Sequence, residues 1–378
     1  MRDLPAPEFV QNDPAAIEAE LVARYESAAG KSLYPAQIER LFINQIAYAK
    51  SRILAAIQNA GEMLLVRTSS APMLDYLGEL VSTPRLLAKA ATCTQAFTLP
   101  AVQAGDVVLP VGTRVSTADG RVTFATQETL TIASGQLQVR ATVVCTTAGI
   151  VGNGWGLGQL SVLGSAPLAG MATANETVTA DGADDETDAA YKERIILAPE
   201  AYSNAGSRGA YRYHVRAVHQ SIIDVAVLGP DDEGGPADGH VAIYPLTTSG
   251  LPTAQLLEDV ATAVSGEKVR PLCDTVLVHS PVEVPYVIEA QLTLYTWAAA
   301  TFISVQAACQ AAVEAYAARM GSALGNDIVP EQVIAALQGV AGVKRAALLQ
   351  PAAVLAVAGQ EWAHCTGIHL SIVGYEND

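Results

Sequence analysis

Six histidines, His214, His219, His240, His279, His364 and His369, are the first residues to weigh for metal or acid–base chemistry. His214 and His219 lie five apart on an expected helix, and His364 and His369 five apart near the C-terminal strand. A helical pair of zinc ligands needs the i, i+4 spacing of H-E-x-x-H, and no Cys or Glu completes a ligand set here. These histidines read as structural or surface groups. The acidic run Asp184-Asp185-Glu186-Thr187-Asp188 lacks the alternating D-x-D-x-D-G loop and distal Glu of a calcium site. It reads as a solvated loop capping the helix that follows, with Thr187 or Asp188 as the cap. The segment from Gly229 to Asp238 reads as a mobile hairpin connection. Glycoside hydrolysis needs two carboxylates flanking one cleft, and none of the 38 acidic residues is singled out for that role. The glycines from Gly152 to Gly158 lack the strand-then-helix setting of a dinucleotide fingerprint, and the chain has no G-K-[ST] phosphate loop and no G-x-S-x-G elbow. No catalytic, cofactor-binding or metal-ligating residue is expected, and no cofactor.

The totals fit a well-packed mixed α and β protein. Of 378 residues, half are apolar and 16% charged, enough for sizeable cores and unlike a disordered chain. A net charge of −16 without a Lys/Arg run argues against nucleic-acid binding, which rests on displaced phosphate counterions, and suits protein–protein contact. Five cysteines, Cys93, Cys145, Cys273, Cys309 and Cys365, include no C-x-x-C pair and read as buried hydrophobes in a reducing compartment. The segment Met1–Asp13 shows no charged-then-apolar leader pattern. No apolar run reaches the roughly 18 residues of a membrane span. No membrane partner is expected.

The elements that position these residues form three regions: a helical one over 1–88, a β-rich one over 89–180 and an α+β one over 181–378. In the first, Ile38, Phe42, Ile46, Ala49, Ile53, Ile57, Ala60 and Leu64 recur every three or four residues and define one stripe of a long helix. That stripe must bury against a second helix or another chain. Ile38, Phe42, Ile46, Ile53 and Ile57 are candidate subunit contacts, with burial inside the chain the equal alternative. Met73 to Leu80 gives a short helix. In the second region, strands are expected at Val107–Leu109, Arg114–Thr117, Val122–Ala125, Thr129–Ile132 and Gln136–Thr146, with a hairpin turn at Asp119-Gly120. They make a small β-sandwich or barrel-like domain whose exit loop is Gly149–Gly158. The third region alternates strands and helices. From Tyr286 on, Ile288, Ala290, Leu292 and Leu294 share one face, so one side of a mixed or antiparallel sheet is buried under helices. The fold class is therefore multidomain α+β.

Several stretches together resemble the baseplate J-like family of contractile tails. They are Leu74-Asp75-x-Leu77-Gly78 with Arg85; Pro110-x-Gly112-Thr113-x-Val115, Phe124-x-Thr126 and Gly149-x-x-Gly152-Asn153; and Asp185-Glu186-Thr187-Asp188-x-x-Tyr191-x-x-Arg194, followed by Ala198-Pro199 and Ala205-Gly206-x-x-x-Ala210-Tyr211-Arg212. Further on come Arg270-Pro271-Leu272-x-Asp274-x-Val276-x-Val278, then Leu324-Gly325, Ile328-x-Pro330 and Gly342-Val343. The pieces run in the family's order over about residues 70 to 351. Pro330-Glu331 departs from it, since a Ser helix cap is expected after that proline. The signature residues Leu74, Asp75, Asp188, Tyr191, Arg194, Tyr211, Arg270 and Asp274 are read as architectural. Gly112, Gly149, Gly152 and Gly206 are expected at turns, and Arg194 and Arg270 are expected to pair with carboxylates such as Asp188 or Asp274.

The resemblance implies a structural wedge protein of a virion tail baseplate, assembled in the host cytoplasm. Its copies would pair into dimers, and the dimers into a six-fold ring around a central spike hub. Implied partners are a smaller tail protein I-like wedge component and a sheath initiator of lysozyme-like fold. Rearrangement of the ring would trigger sheath contraction. A tail-associated glycan hydrolase would require a clustered acid pair. A receptor-binding tail module would require aromatic-rich loops, and aromatics are only 6% of the chain.

Overall fold

The computed structural model describes residues 5–202, 207–266, 269–271 and 274–377. Ala205, Gly206, Leu272 and Cys273, named above, lie outside them. The chain forms two compact units, Met1–Arg85 with Thr187–Pro199 and Leu86–Glu186 with Glu200–Asp378.

The first unit is helical. Helix α1 (Pro14–Ala29) opens where the Asp13 carboxylate accepts the Ala15 N–H at 2.9 Å and closes at Gly30, whose φ of 66° suits a residue without Cβ. Helix α2 (Ile38–Met63) packs on it through Ile43, which meets Val22 and Leu33. Arg40–Glu18 at 2.6 Å and Lys50–Glu20 at 2.9 Å join the two helices at the surface. Such pairs, screened by water, contribute little to stability. Helix α3 (Met73–Glu79) and helix α4 (Asp188–Leu197) share a second small core of Leu74, Tyr191 and Ile195. The sequence divides the chain at 180/181, which would group α4 with the C-terminal region. Its apolar side instead closes on α3, because Leu74, Val66 and Val81 offer the matching apolar surface.

The second unit begins with a small barrel-like sheet. Its strands are β1 (Ala90–Thr98), β3 (Arg114–Thr117), β4 (Thr123–Thr126), β6 (Gln138–Ala148), β7 (Leu160–Leu163) and β8 (Ala172–Asn175), in the order β7-β3-β4-β6-β1-β8, and β7 comes back against β8. A separate ribbon pairs β2 (Val107–Leu109) with β5 (Leu130–Ile132). The turn at Asp119-Gly120 joins β3 to β4, with the Gly120 N–H donating to the Thr117 carbonyl. The segment Gly149–Gly158 is not the exit from this domain. β7 and β8 follow it, because Leu160 and Met171 belong to the same core as Phe97, Val115 and Phe124.

Two three-stranded mixed sheets follow, rather than one. Helix α5 (Arg208–Arg216), capped by Ser207, and helix α6 (Ala254–Val264), capped by Thr253, cover a sheet of β9 (Ile222–Leu228), β10 (His240–Thr247) and β11 (Thr275–Val278), in which β10 runs antiparallel to β9 and parallel to β11. The last sheet holds β12 (Val282–Tyr295) between β13 (Val343–Gln350), antiparallel, and β14 (Glu361–Glu376), parallel. Helices α7 (Phe302–Gly321) and α8 (Pro330–Gln338) cover one face, on which Ile288, Ala290, Leu292 and Leu294 are all buried. Helix α8 starts without a side-chain cap at Val329, where the sequence departs from the family pattern.

Candidate functional site

Five of the signature residues, Leu74, Asp75, Asp188, Tyr191 and Arg194, collect with Arg85 into a clamp in the helical unit. Arg85 Nε donates to Asp75 Oδ1 and its Nη2 to Asp188 Oδ1, each at 2.8 Å. Its guanidinium also lies 4.6 Å from the centroid of the Tyr191 ring. Burial works against the Arg85 charge, but the two carboxylates outweigh it and hold its pKa above the ordinary value. For Asp188 burial likewise opposes the shift, and the Arg85 hydrogen bond, the Ala71 N–H and the Arg85 charge win, so its carboxyl sits below the usual range. Arg194, expected to pair with a carboxylate such as Asp188, donates to the Pro84 carbonyl at 2.6 Å and lies 5.6 Å from the Tyr191 ring centroid. The arginine that Asp188 binds is Arg85.

Tyr191 is the centre of this arrangement. It is fully buried, and its hydroxyl donates to the Thr83 carbonyl at 2.7 Å. The hydroxyl passes directly over Gly78, where a Cβ would overlap it and would sit 2.6 Å from the Thr83 carbonyl oxygen. The spacing Leu74-Asp75-x-Leu77-Gly78 thus supplies a core residue, a carboxylate and a gap on one short helix; Tyr191 and Ile195 of α4 pack on the first and Tyr191 fills the last, while Arg85 takes the carboxylate. Buried polar groups satisfied in this way fix geometry rather than perform chemistry.

Within the acidic run Asp184, Asp185 and Thr187 are exposed, as a solvated loop requires, yet its carboxylates are also engaged by backbone amides. Asp184 Oδ1 accepts from the Ile150 N–H at 3.1 Å, Asp185 Oδ1 from Ala88 at 2.8 Å, and Glu186 Oε2 from Leu86 at 3.1 Å. Glu186 is 5% exposed. The exposure of Asp184 and Asp185 and the capping role were legible, and Thr187 performs the cap by accepting from the Ala190 N–H. The run's composition could not reveal that backbone amides distant in sequence await it.

In the second unit, Arg270 and Asp274 both lie close enough to Tyr211 to act on its hydroxyl. Burial pushes that group's pKa up, the Asp274 charge adds to the shift and the Arg270 charge opposes it. The hydroxyl is buried and has no hydrogen-bond partner among the described residues. Gly112 and Gly149 take positive φ, 79° and 108°. Gly152 is needed for close approach instead, since a Cβ there would meet the Ala91 methyl at 2.7 Å.

A polar joint missed by sequence reasoning ties the end of the barrel to the next sheet. His219 Nε2 donates to the Asp181 carbonyl at 3.1 Å, and its Nδ1 accepts from the Ser221 N–H at 3.1 Å and lies 2.7 Å from the Ser221 hydroxyl. The Asp181 carboxylate accepts from Thr253 Oγ1, Lys89 Nζ donates to the Val218 carbonyl, and Gln220 Nε2 donates to the Leu87 and Asp184 carbonyls. Burial first, and the Lys89 charge second, hold the His219 pKa below its ordinary value.

The five candidate contact residues share an uncovered face of α2. Ile38, Phe42, Ile46, Ile53 and Ile57 are 69, 67, 57, 62 and 47% exposed. The helix buries a different side, marked by Ile43 and Ala47. At the end of the stripe an apolar groove is lined by Phe9, Ile57, Ala60, Met63, Leu64 and Met73. Among the described residues no group of three or more His, Cys, Asp or Glu could hold a metal ion, and no helix is long and apolar enough to cross a membrane.

A chain whose charged residues serve clamps and joints between small domains, and which leaves an apolar helix face open, has the build of a scaffold subunit. Comparison with known proteins fits this. Three domain models match in order: the Baseplate J-like protein barrel domain over residues 94–182, the Baseplate J-like central domain over 203–280 and the Baseplate J-like protein C-terminal domain over 286–371. Baseplate protein J of Escherichia phage P2 is 35% identical over 181 residues, 48% of this chain and 57% of that protein. A chain in the structure of the anti-feeding prophage (AFP) baseplate aligns over 93% of this chain and 90% of its own length, with TM-score 0.43 and 12% identity. The chain belongs to the baseplate J-like family.

Proposed function

We propose that this chain is a structural, non-enzymatic component of a virion tail baseplate, and that the open face of α2 is where it meets a second subunit. Family membership supports the first part, and the five exposed apolar residues on one helical stripe carry the second. Full burial of such side chains stabilises a contact by up to about 1.5–3 kcal/mol each, so a helix–helix seam along the stripe offsets the cost of association. On this reading copies form dimers, and the dimers a six-fold ring around a central spike hub. A tail protein I-like wedge component and a sheath initiator of lysozyme-like fold complete the assembly. Modest interfaces between separately packed units let such a ring rearrange and release sheath contraction. The protein is made and assembled in the host cytoplasm.

The test is negative-stain imaging of tails from a strain lacking the gene, complemented with the natural chain or with Phe42→Glu/Ile53→Glu. Loss of baseplates without the gene, rescue by the natural chain and no rescue by a variant with unchanged helical signal are expected. Normal infectious particles without the gene would overturn the role. Full rescue by the variant would overturn the α2 contact alone.

A further inference from the structure

The open stripe of α2 matches itself when the helix is reversed. Turned end for end about the level of Ser51, the stripe lays Ile38 on Leu64, Phe42 on Ala60, Ile46 on Ala56 and Ile53 on Ala49. All eight residues are exposed. Three of the four superpositions set a large side chain over a small one, which is how facing helices interdigitate without voids. Two parallel copies would instead set Phe42 against Phe42 and Ala60 against Ala60. That arrangement crowds one level and leaves a gap at the other, and both cost stability.

The apolar groove at the end of the stripe lies where the reversal puts Phe42, since Ala60 is part of its lining. Phe9 forms one wall. Its N–H donates to Gln58 Oε1 at 2.8 Å, and its ring lies against Gly61, where a Cβ would meet it at 2.6 Å. The stripe itself carries no charge. Glu39, Arg40 and Lys50 beside it are paired within the unit to Lys31, Glu18 and Glu20, and Arg52 lies 6.0 Å from the centroid of the Tyr48 ring. The large side chains of the stripe, Ile38, Phe42, Ile46, Ile53, Ile57 and Leu64, are 47–69% exposed. With the alanines between them they offer on the order of 700 Å² per chain, close to the roughly 800 Å² that each side of a stable interface buries.

We infer that the occupant of this face is a second copy of the chain, its α2 antiparallel to the first about a two-fold axis, with Phe42 of each copy seated in the groove over Ala60 of the other. A two-fold contact uses the same patch twice, so each pair of large and small residues occurs on both sides of the axis. This pairing rests on the reading of α2 as a subunit contact and names what fills it.

The experiment uses the full chain as two variants, Phe42→Cys and Ala60→Cys, oxidised mildly alone and mixed, beside the natural chain as a control for its own cysteines. Antiparallel copies bring position 42 of one to position 60 of the other, while the two copies of position 42 stand about 27 Å apart along the axis. A covalent dimer is expected in the mixture and in neither variant alone. In sedimentation, Phe42→Ala and Ala60→Phe should each weaken the dimer about tenfold or more, and Phe42→Ala/Ala60→Phe, which exchanges the large and small partners, should restore it. Covalent dimers from either cysteine variant by itself would overturn the inference in favour of parallel copies, and no dimer in the mixture would overturn it as well. A natural chain that stays monomeric up to its solubility limit would remove the second copy as occupant. If Phe42→Glu/Ile53→Glu then still fails to rescue baseplates, the α2 contact stands with a different polypeptide on it.

Discussion

Gly78→Ala is the most discriminating perturbation of the helical unit, because adding one methyl group acts on the centre of the clamp. Taken alone, the change should favour α3, since Ala in a helix interior is worth up to about 1 kcal/mol over Gly. The structure reverses that sign. The new Cβ overlaps the Tyr191 hydroxyl and lies 2.6 Å from the Thr83 carbonyl oxygen, and Tyr191 has no exposed surface through which to escape. Overpacking of this kind costs about 1–3 kcal/mol. Displacing the hydroxyl also breaks its 2.7 Å bond to Thr83, and leaving buried partners unpaired costs about 1–3 kcal/mol. Net of propensity, the expected loss is about 2–4 kcal/mol, or roughly 30- to 700-fold in the folding equilibrium. All three tryptophans, Trp155, Trp297 and Trp362, lie in the other unit. Denaturant titration should therefore show loss of helical circular dichroism at lower denaturant with the tryptophan transition in place. Tyr191→Phe removes the atom that overlaps most and leaves the ring carbon at 2.7 Å, so the double variant should be more stable than the sum of the two single effects by about 1 kcal/mol. A neutral or stabilising Gly78→Ala, or strict additivity in the double variant, would refute the reasoning.

Arg85→Met should destabilise the same unit by about 1–3 kcal/mol, below the figure for a fully buried pair because Asp75 and Asp188 keep 42 and 36% of their side-chain surface. Arg85→Lys should fall between it and the natural chain, and the helical midpoint measures both. The Asp188 carboxyl has a lowered folded pKa, so its contribution is complete above the ordinary carboxylate range near 3.9 and is lost as pH falls through it. The helical midpoint should drop on acidification, less steeply in Asp188→Asn. His219 also has a lowered folded pKa, so its contribution is present above about pH 6.5 and is lost as pH falls below that value. The tryptophan midpoint should drop as pH falls below about 6.5, and His219→Gln should flatten the drop. In the barrel, Gln95 is fully buried and its Nε2 donates to the Leu160 carbonyl at 2.8 Å and to Thr173 Oγ1 at 2.7 Å. Gln95→Leu leaves those acceptors unpaired and should cost about 1–3 kcal/mol, read by tryptophan fluorescence.

The sequence by itself determined what local periodicity and capping can encode. The α2 stripe, the hairpin at Asp119-Gly120, the one-sided burial of Ile288 to Leu294 and the cap at Thr187 follow from 3.6- and 2-residue periods and from short polar side chains beside free amides. Family signatures were legible as spacings, but their purpose was not. Only the tertiary structure decided that Arg85 answers both Asp75 and Asp188, that Gly78 is a gap for the Tyr191 hydroxyl, and that the carboxylates of Asp184, Asp185 and Glu186 accept from distant amides. β7 and β8 were hidden because, unlike the equally short β3 and β4, they are not joined to a neighbouring strand by a tight turn and pair only with strands far along the chain. Periodicity says that a face must be covered. Which residues, of this chain or another, come to cover it is a matter of long-range contacts, and these exist only once the chain has folded.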